Sequence, residues 1–275
     1  MKSFISHALA GRLEAWLCLG LLLVVCLACG RSDRQGQTLT IAGSTSVQPF
    51  AEKLAEVYMK QKPVLLINVQ GGGSSAGIMA VQQGAAQIGA SSRELHDKEK
   101  NLHEIVIAWD GIAVIVHPSC PVDNLPLATL RQIFAGQIKD WAALGLKPHS
   151  LHVITREEGS GTRTAFEELV MGKLEITPTA LVQDSNGAVR EIVAHDPYAI
   201  GYISCGLVDC QVKALAIDGV LPTGPNIKKN IYKLTRRFLF VTAQQPTGLA
   251  QEFCSFVLSP QGQNLLEKEG LIGVH

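Results

Sequence analysis

Leu39-Thr40-Ile41-Ala42-Gly43-Ser44-Thr45-Ser46, running on through Val47-Gln48-Pro49-Phe50, reads as a strand that stops at a glycine and restarts as a helix. Leu39 to Ala42 is a short apolar run with a β-branched residue at its centre. Val47, Phe50, Leu54, Val57 and Tyr58 then recur at the spacing of one helical face. The start of a helix leaves backbone N–H groups unpaired and turns the positive end of its dipole outward. Glycine lets an anion come close to the backbone, and Ser or Thr adds a hydroxyl that can donate to it. The same grammar returns in Gly73-Ser74-Ser75-Ala76-Gly77 and in Gly159-Ser160-Gly161-Thr162. One such start is an ordinary helix cap. Three brought together would make a cage for a tetrahedral oxyanion.

Outward from these junctions, strand and helix patterns alternate. Leu65 to Val69 and Ile88 to Ala90 read as strands around a helix at Ser75 to Gln83, and Ala113 to Val116 is a further strand. Leu130, Ile133 and Phe134 share a helical face. In the second half His152 to Thr155 is a strand ahead of a helix carrying Phe166, Leu169 and Val170. Val182 opens a strand before Ser185-Asn186-Gly187, and Val189, Ile192 and Val193 continue as a helix. Ile200 to Ile203 is another strand, Pro222 to Asn230 an exposed connection, and two helices close the chain near Leu249 to Val257 and Pro260 to Glu269. This order predicts an α/β protein with mostly parallel sheets, in which ligands gather at the carboxyl ends of the strands.

At 275 residues, 47% hydrophobic and with no net charge, the chain is large enough for a substantial core and lacks the basic stripe of a nucleic-acid binder. Its first 29 residues hold Lys2, Arg12 and an apolar run from Ala15 to Ala28, the pattern of an export signal too short to span a bilayer comfortably. The end of that run, Cys26-Leu27-Ala28-Cys29-Gly30, resembles the lipobox of bacterial lipoproteins. That likeness implies cleavage after Ala28, a lipid on Cys29 and a polar tether over residues 30–37. Four cysteines then remain, and Cys205 and Cys210 are the pair nearest in sequence for a disulfide. The eight histidines show no metal-ligand spacing, and no glycine-rich stretch leads into Lys-Ser or Lys-Thr, so neither a metal nor a nucleotide cofactor is expected.

The set GSTSVQPF (43–50), GGGSSAGI (71–78), IGASSREL (88–95), DGIAVIV (110–116), IFAGQIKDWAALG (133–145), REEGSGTRTAF (156–166) and SNGAV…AIGYIS (185–204) resembles the phosphate-binding lipoproteins of bacterial ABC importers. The resemblance implies a two-lobed, type II-like binding protein with a two-segment hinge. Residues 38–115 and 234–275 would form one lobe and 116–233 the other. It further implies capture of inorganic phosphate outside the cytoplasmic membrane by a monomer, which hands it to permease subunits. Matching motif by motif, Ser44, Thr45, Ser46, Ser74, Ser75 and Ser92 would meet the phosphate oxygens. Arg156, Ser160, Gly161 and Thr162 would complete the shell from the opposite lobe. Some family members carry an Asp where this chain has Ser92, which leaves Asp110 as the carboxylate to accept a phosphate proton and to repel sulfate. Asn186-Gly187 would brace the site, while Trp109 and Trp141 suit packing or hinge positions.

Two other readings fit parts of the chain. The same cage could take sulfate, molybdate or another oxyanion. Gly73 to Gly77 also matches G-x-S-x-G, which would make Ser75 the nucleophile of a serine hydrolase with Asp184 and His195 as partners. No oxyanion motif of the HGGG type precedes it.

Overall fold

Strand β1 (Gln37–Gly43) places Leu39 and Ile41 in a fully buried position on one face, and the sheet grows on both its edges. The computed structural model describes residues 37–275; the expected export signal, Cys29 and nearly all of the expected tether lie outside the described residues. Helix α1 (Gln48–Gln61), β2 (Leu65–Gln70), α2 (Ser74–Gln82) and β3 (Ile88–Ser91) follow, with β2 and β3 both parallel to β1. Gly77 of α2 lies so close to β1 that a Cβ there would stand 2.3 Å from the Ala42 carbonyl oxygen. That contact seats the start of α2 against the end of β1.

Strand β4 (His103–Val116) is the spine of the molecule. After β5 (Asn124–Leu125) and α3 (Leu127–Phe134) come β6 (His152–Arg156), α4 (Gly161–Phe166), a π-helical turn over Glu167–Met171 and β7 (Leu181–Gln183). The chain continues through α5 (Asn186–His195), β8 (Ala199–Ser204), β9 (Lys213–Ala214), β10 (Ala216–Ile217) and α6 (Gly224–Lys228). It ends with β11 (Thr235–Thr242), α7 (Gly248–Leu258) and α8 (Pro260–Lys268). The strand order is β2-β1-β3-β11-β4-β8-β6-β7, with β9 on β4 and a small parallel pair, β5 and β10, apart.

Both halves of the sheet have parallel strands at their edges, but the centre is antiparallel. β4 pairs antiparallel with β11 over His103 to Gly111 and then with β8 over Ile112 to Val116. The expectation of mostly parallel sheets therefore holds for the flanks and fails at β4 and β11, the strands that run between the two halves. Apolar packing divides at the same place. Ile107 and Ala108 pack with Leu39, Ile41, Phe238 and Phe240, whereas Ile112, Val114 and Val116 pack with Phe134, Phe166, Tyr202 and Leu234. The stretch Pro222 to Asn230 is more than an exposed connection. Pro225 sits in the first turn of the short α6, and Ile227, 4% exposed, plugs the second core beside Gly111.

The C-terminal end also joins the two cores. Leu271 is buried in the first and Ile272 packs on the second, while Ile272 exchanges backbone hydrogen bonds with Trp109. Trp109 is 41% exposed at this crossing, and Trp141 is buried in the second core with its indole N–H on the Tyr198 carbonyl.

Candidate functional site

All three glycine-serine junctions meet at the ends of β1, β3 and β6. From the first half, Gly43 turns the chain out of β1, and the Ser44 amide donates to the Ala90 carbonyl. The Ser44 hydroxyl accepts from the amides of Ser46 and Val47 and donates to Ser92 Oγ at 2.8 Å. Ser74 opens α2, and its hydroxyl accepts from the Ser92 amide at 3.1 Å. From the second half, Ser160 caps α4 by accepting from the Arg163 amide, and the amides ahead of it in the first turn, as at any helix start, have no acceptor within the helix.

The two halves touch through these same residues. Ser46 Oγ lies 2.5 Å from Thr162 Oγ1. The Ser75 amide donates to the Gly159 carbonyl. Gly161 faces Ser74 and Ser92 so closely that a Cβ would stand 2.2 Å from one hydroxyl oxygen and 2.7 Å from the other. Ser44, Ser46, Ser74, Ser92, Ser160 and Thr162 are all at most 2% exposed. Buried hydroxyls are costly unless each is paired, and here Ser44 and Ser74 meet Ser92, Ser46 meets Thr162 and Ser160 takes the Arg163 amide; hydroxyls suit the place because they can donate or accept.

Arg156, 1% exposed, brings the cation. Its Nε donates to a Glu157 carboxylate oxygen and to the Gln183 carbonyl; its Nη2 donates to Thr45 Oγ1 at 2.8 Å, to Glu157 and to the Asp184 carbonyl. Nη1 is buried and has no acceptor among the described residues. The guanidinium is thus fixed along one edge and keeps one nitrogen free to donate.

Asp110 stands elsewhere than the sequence suggested. It is fully buried, but Oδ1 accepts from Ser204 Oγ at 2.8 Å and Cys205 Sγ at 3.3 Å, and Oδ2 takes Arg236 Nε at 2.9 Å. Among the described residues it makes no hydrogen bond to the serine cage itself and reaches it indirectly, through Arg236, whose Nη1 donates to the Ser92 carbonyl, and through Ser204, whose amide donates to Asn186. Burial pushes its carboxyl up from the ordinary value, while the Arg236 charge and the Ser204 hydroxyl pull it back.

The expected pairing of Cys205 with Cys210 is absent: Cys120, Cys205, Cys210 and Cys254 are free thiols. Cys205 is turned inward onto Asp110, where burial first and the Asp110 charge second raise its thiol pKa, whereas Cys210 is exposed.

Asn186, the first residue of α5 and expected to brace the site, does so directly: its Nδ2 donates to Ser46 Oγ at 2.7 Å. Two contributors escape the sequence. Arg93 is 2% exposed, donates to Ser75 Oγ and pairs with Glu99. Arg236 is the other, and the signal for it is a charge inside an otherwise apolar run, matched by Asp110 in another. Ser75, for its part, is engaged with Arg93 while His195 sits on Glu191, so the geometry joins no Ser75–His195 pair.

Similarity to known proteins points the same way. A family model described as a PBP superfamily domain matches residues 30–261. The chain is 35% identical over 248 residues to the phosphate-binding protein PstS of Bacillus subtilis (strain 168), covering 88% of this chain and 82% of that protein. A solved structure from Clostridium perfringens, described as a phosphate ABC transporter substrate-binding protein with bound phosphate, superposes with a TM-score of 0.84 at 40% identity, over 87% of this chain and all of that one. An ABC-type phosphate transport receptor from Vibrio cholerae gives a TM-score of 0.73 at 39% identity, over 85% of this chain and 99% of the other.

Proposed function

From the premise that this chain belongs to the PstS phosphate-binding proteins of the PBP superfamily, we propose that its serine cage captures inorganic phosphate. The captured anion is then passed, outside the cytoplasmic membrane, to the permease of an ABC importer. The observation that carries this reading is the meeting of Ser46 with Thr162 across the two halves, together with an Arg156 guanidinium that holds the neighbouring Thr45 and keeps one buried nitrogen without an acceptor among the described residues. A tetrahedral anion satisfies both at once. Its oxygens accept from hydroxyls, from first-turn amides and from the guanidinium, and charge-assisted bonds of that kind are the strong ones.

The mechanism is capture with no chemistry on the ligand. Phosphate docks first on Ser44, Thr45, Ser46, Ser74 and Ser92. Movement about the crossing strands β4 and β11 then brings Arg156 and Ser160 to Thr162 over it. Closure expels water, and in the lower dielectric each charged hydrogen bond strengthens. Lipidation of Cys29 holds the protein, a monomer, at the membrane surface beside its transporter. Calorimetry on protein stripped of carried-over anion tests the core of this reading. Saturable one-to-one binding of phosphate, tighter than that of sulfate or molybdate, is the expected result. Preference for another oxyanion, or no heat with phosphate, overturns it.

A further inference from the structure

A buried ring of polar contacts runs from the cage to the crossing strands and back. Asp110 on β4 and Arg236 on β11 are partners in register, in the segment where the chain passes between the two cores. Their side chains are almost wholly buried, with Arg236 Nη2 2.8 Å from Asp110 Oδ2. On one side Arg236 Nη1 donates to the Ser92 carbonyl at 3.3 Å, and Ser92 is bound to Ser44 and Ser74. On the other side Ser204 Oγ donates to Asp110, the Ser204 amide donates to Asn186 Oδ1 at 3.2 Å, and Asn186 Nδ2 donates to Ser46. Ser92 and Ser46 come from the first half of the molecule, Ser204 and Asn186 from the second.

We propose that Asp110 and Arg236 are positioning residues that latch the two halves of the cage in their anion-holding arrangement. This rests on the phosphate reading but adds what it lacks, a link between the crossing strands and the ligand. Among the described residues neither side chain hydrogen-bonds a hydroxyl of the cage. The pair fixes where Ser92 stands relative to Asn186, and through Asn186 where Ser46 stands relative to α5. Because every link is buried, breaking one leaves an unpaired donor or acceptor in a dry site, so the ring is held or lost largely as a unit. The Arg236 guanidinium also lies 5.1 Å over the Phe238 ring, which keeps it from following a displaced Asp110.

The sign of one substitution separates this role from its rivals. If the pair acted by charge alone, Asp110→Asn would leave a bare Arg236 cation near a dianion and tighten phosphate binding. If it served only folding, the variant would melt earlier yet bind as well as wild type once folded. A latch predicts that Asp110→Asn and Ser204→Ala both weaken phosphate, Ser204→Ala by roughly tenfold, which is about 1.4 kcal/mol and lies near the lower end for a hydrogen bond to a charged group. It also predicts a smaller contraction on adding phosphate, read by small-angle X-ray scattering. Ser204→Ala keeps the ion pair intact, so it carries the test if Asp110→Asn does not fold. Wild-type protein in the same titration reports on phosphate binding itself. Tighter binding by Asp110→Asn, or wild-type affinity and full contraction in Ser204→Ala, overturns the proposal.

Discussion

Gly161→Ala separates binding from folding more cleanly than any other single change in the cage. Gly161 is the first residue of α4 and has an ordinary helical backbone, so alanine is conformationally welcome and is the better helix former. Its Cβ, however, would stand 2.2 Å from Ser74 Oγ, 2.7 Å from Ser92 Oγ and 3.0 Å from Ser74 Cβ. Ordinary contact begins near 3.4 Å, so one half must retreat by more than an ångström. A rotation of the Ser74 side chain is no escape, because its hydroxyl receives the Ser92 amide and would leave that buried N–H unpaired. The collision exists only when the two halves are together. Overpacking of this size costs about 1–3 kcal/mol, which corresponds to roughly 5- to 150-fold in affinity.

The measurements are calorimetric titration with phosphate and thermal unfolding of the stripped protein. The expected outcome is a weakened phosphate affinity with the ligand-free melting temperature unchanged or slightly raised. Wild-type affinity would show that Gly161 does not face Ser74 and Ser92 when the anion is held. Loss of both affinity and melting temperature would put the collision inside one half, contrary to the geometry argued here.

Arg156→Lys keeps the charge but loses the fork that Glu157, Thr45 and Asp184 hold; phosphate binding should fall roughly 10- to 150-fold, the range for one or two charged hydrogen bonds, and an unchanged titration would remove Arg156 from the site. Sulfate should compete measurably for the wild-type site in phosphate titrations across about pH 5 to 8, and complete indifference to sulfate would mean that a carboxylate does reach the cage. Burial pushes the Tyr202 phenol up to about 12 from 10.0, against the pull of its bonds to Thr155 and the Arg156 amide. The folded state therefore holds that proton more tightly, and its contribution to stability is complete below the unfolded value and fades as pH climbs from 10.0 towards about 12. Urea unfolding across that window should show a steeper decline in wild type than in Tyr202→Phe, and parallel declines would refute the assignment. Finally, a thiol reagent added to folded residues 37–275 should modify Cys210 quickly and Cys205, Cys120 and Cys254 only on unfolding; a protected Cys210 would restore the disulfide that the structure lacks.

What could be read from the chain alone was whatever is local. The unit from Leu39 to Tyr58 combines an apolar run, a glycine at the break and a helical stripe within twenty-odd residues, and it forms as read. The same holds for the junctions at Ser74 and Ser160. Strand β11 was missed because Arg236 and Arg237 interrupt its apolar run and suggest solvent. Both are instead neutralised by partners more than 120 residues away, Arg236 by Asp110 and Arg237 by Glu94 and Glu104. The first half of β4 was missed as well, since His103, Glu104 and Asp110 break its periodicity. Asp110 itself was recognised as unusual and given the wrong neighbour. A buried carboxylate demands a partner, and no local pattern says whether that partner is a ligand proton or an arginine across a sheet.

That exchange of partners decides how the cage handles charge. With Asp110 committed to Arg236, the groups that the proposed reading turns toward the anion are hydroxyls, first-turn amides and one nitrogen of Arg156, whose own charge is already shared with Glu157. A fixed carboxylate would repel any ligand lacking a proton to donate. A hydroxyl only has to turn: it can accept from a protonated phosphate or donate to a bare oxygen, at the cost of a rotation rather than a like-charge contact. Preference for phosphate must then come from how well the hydroxyls of Ser44, Ser46, Ser74, Ser92 and Thr162 can all be paired at once. That depends on their being held in place before the anion arrives. The rigidity of Arg156 along its Glu157, Gln183 and Asp184 edge supplies this on one side, and the Ser92–Arg236–Asp110–Ser204–Asn186 chain supplies it on the other. On the proposed reading, selectivity would be a property of the scaffold around the cage as much as of the residues that line it.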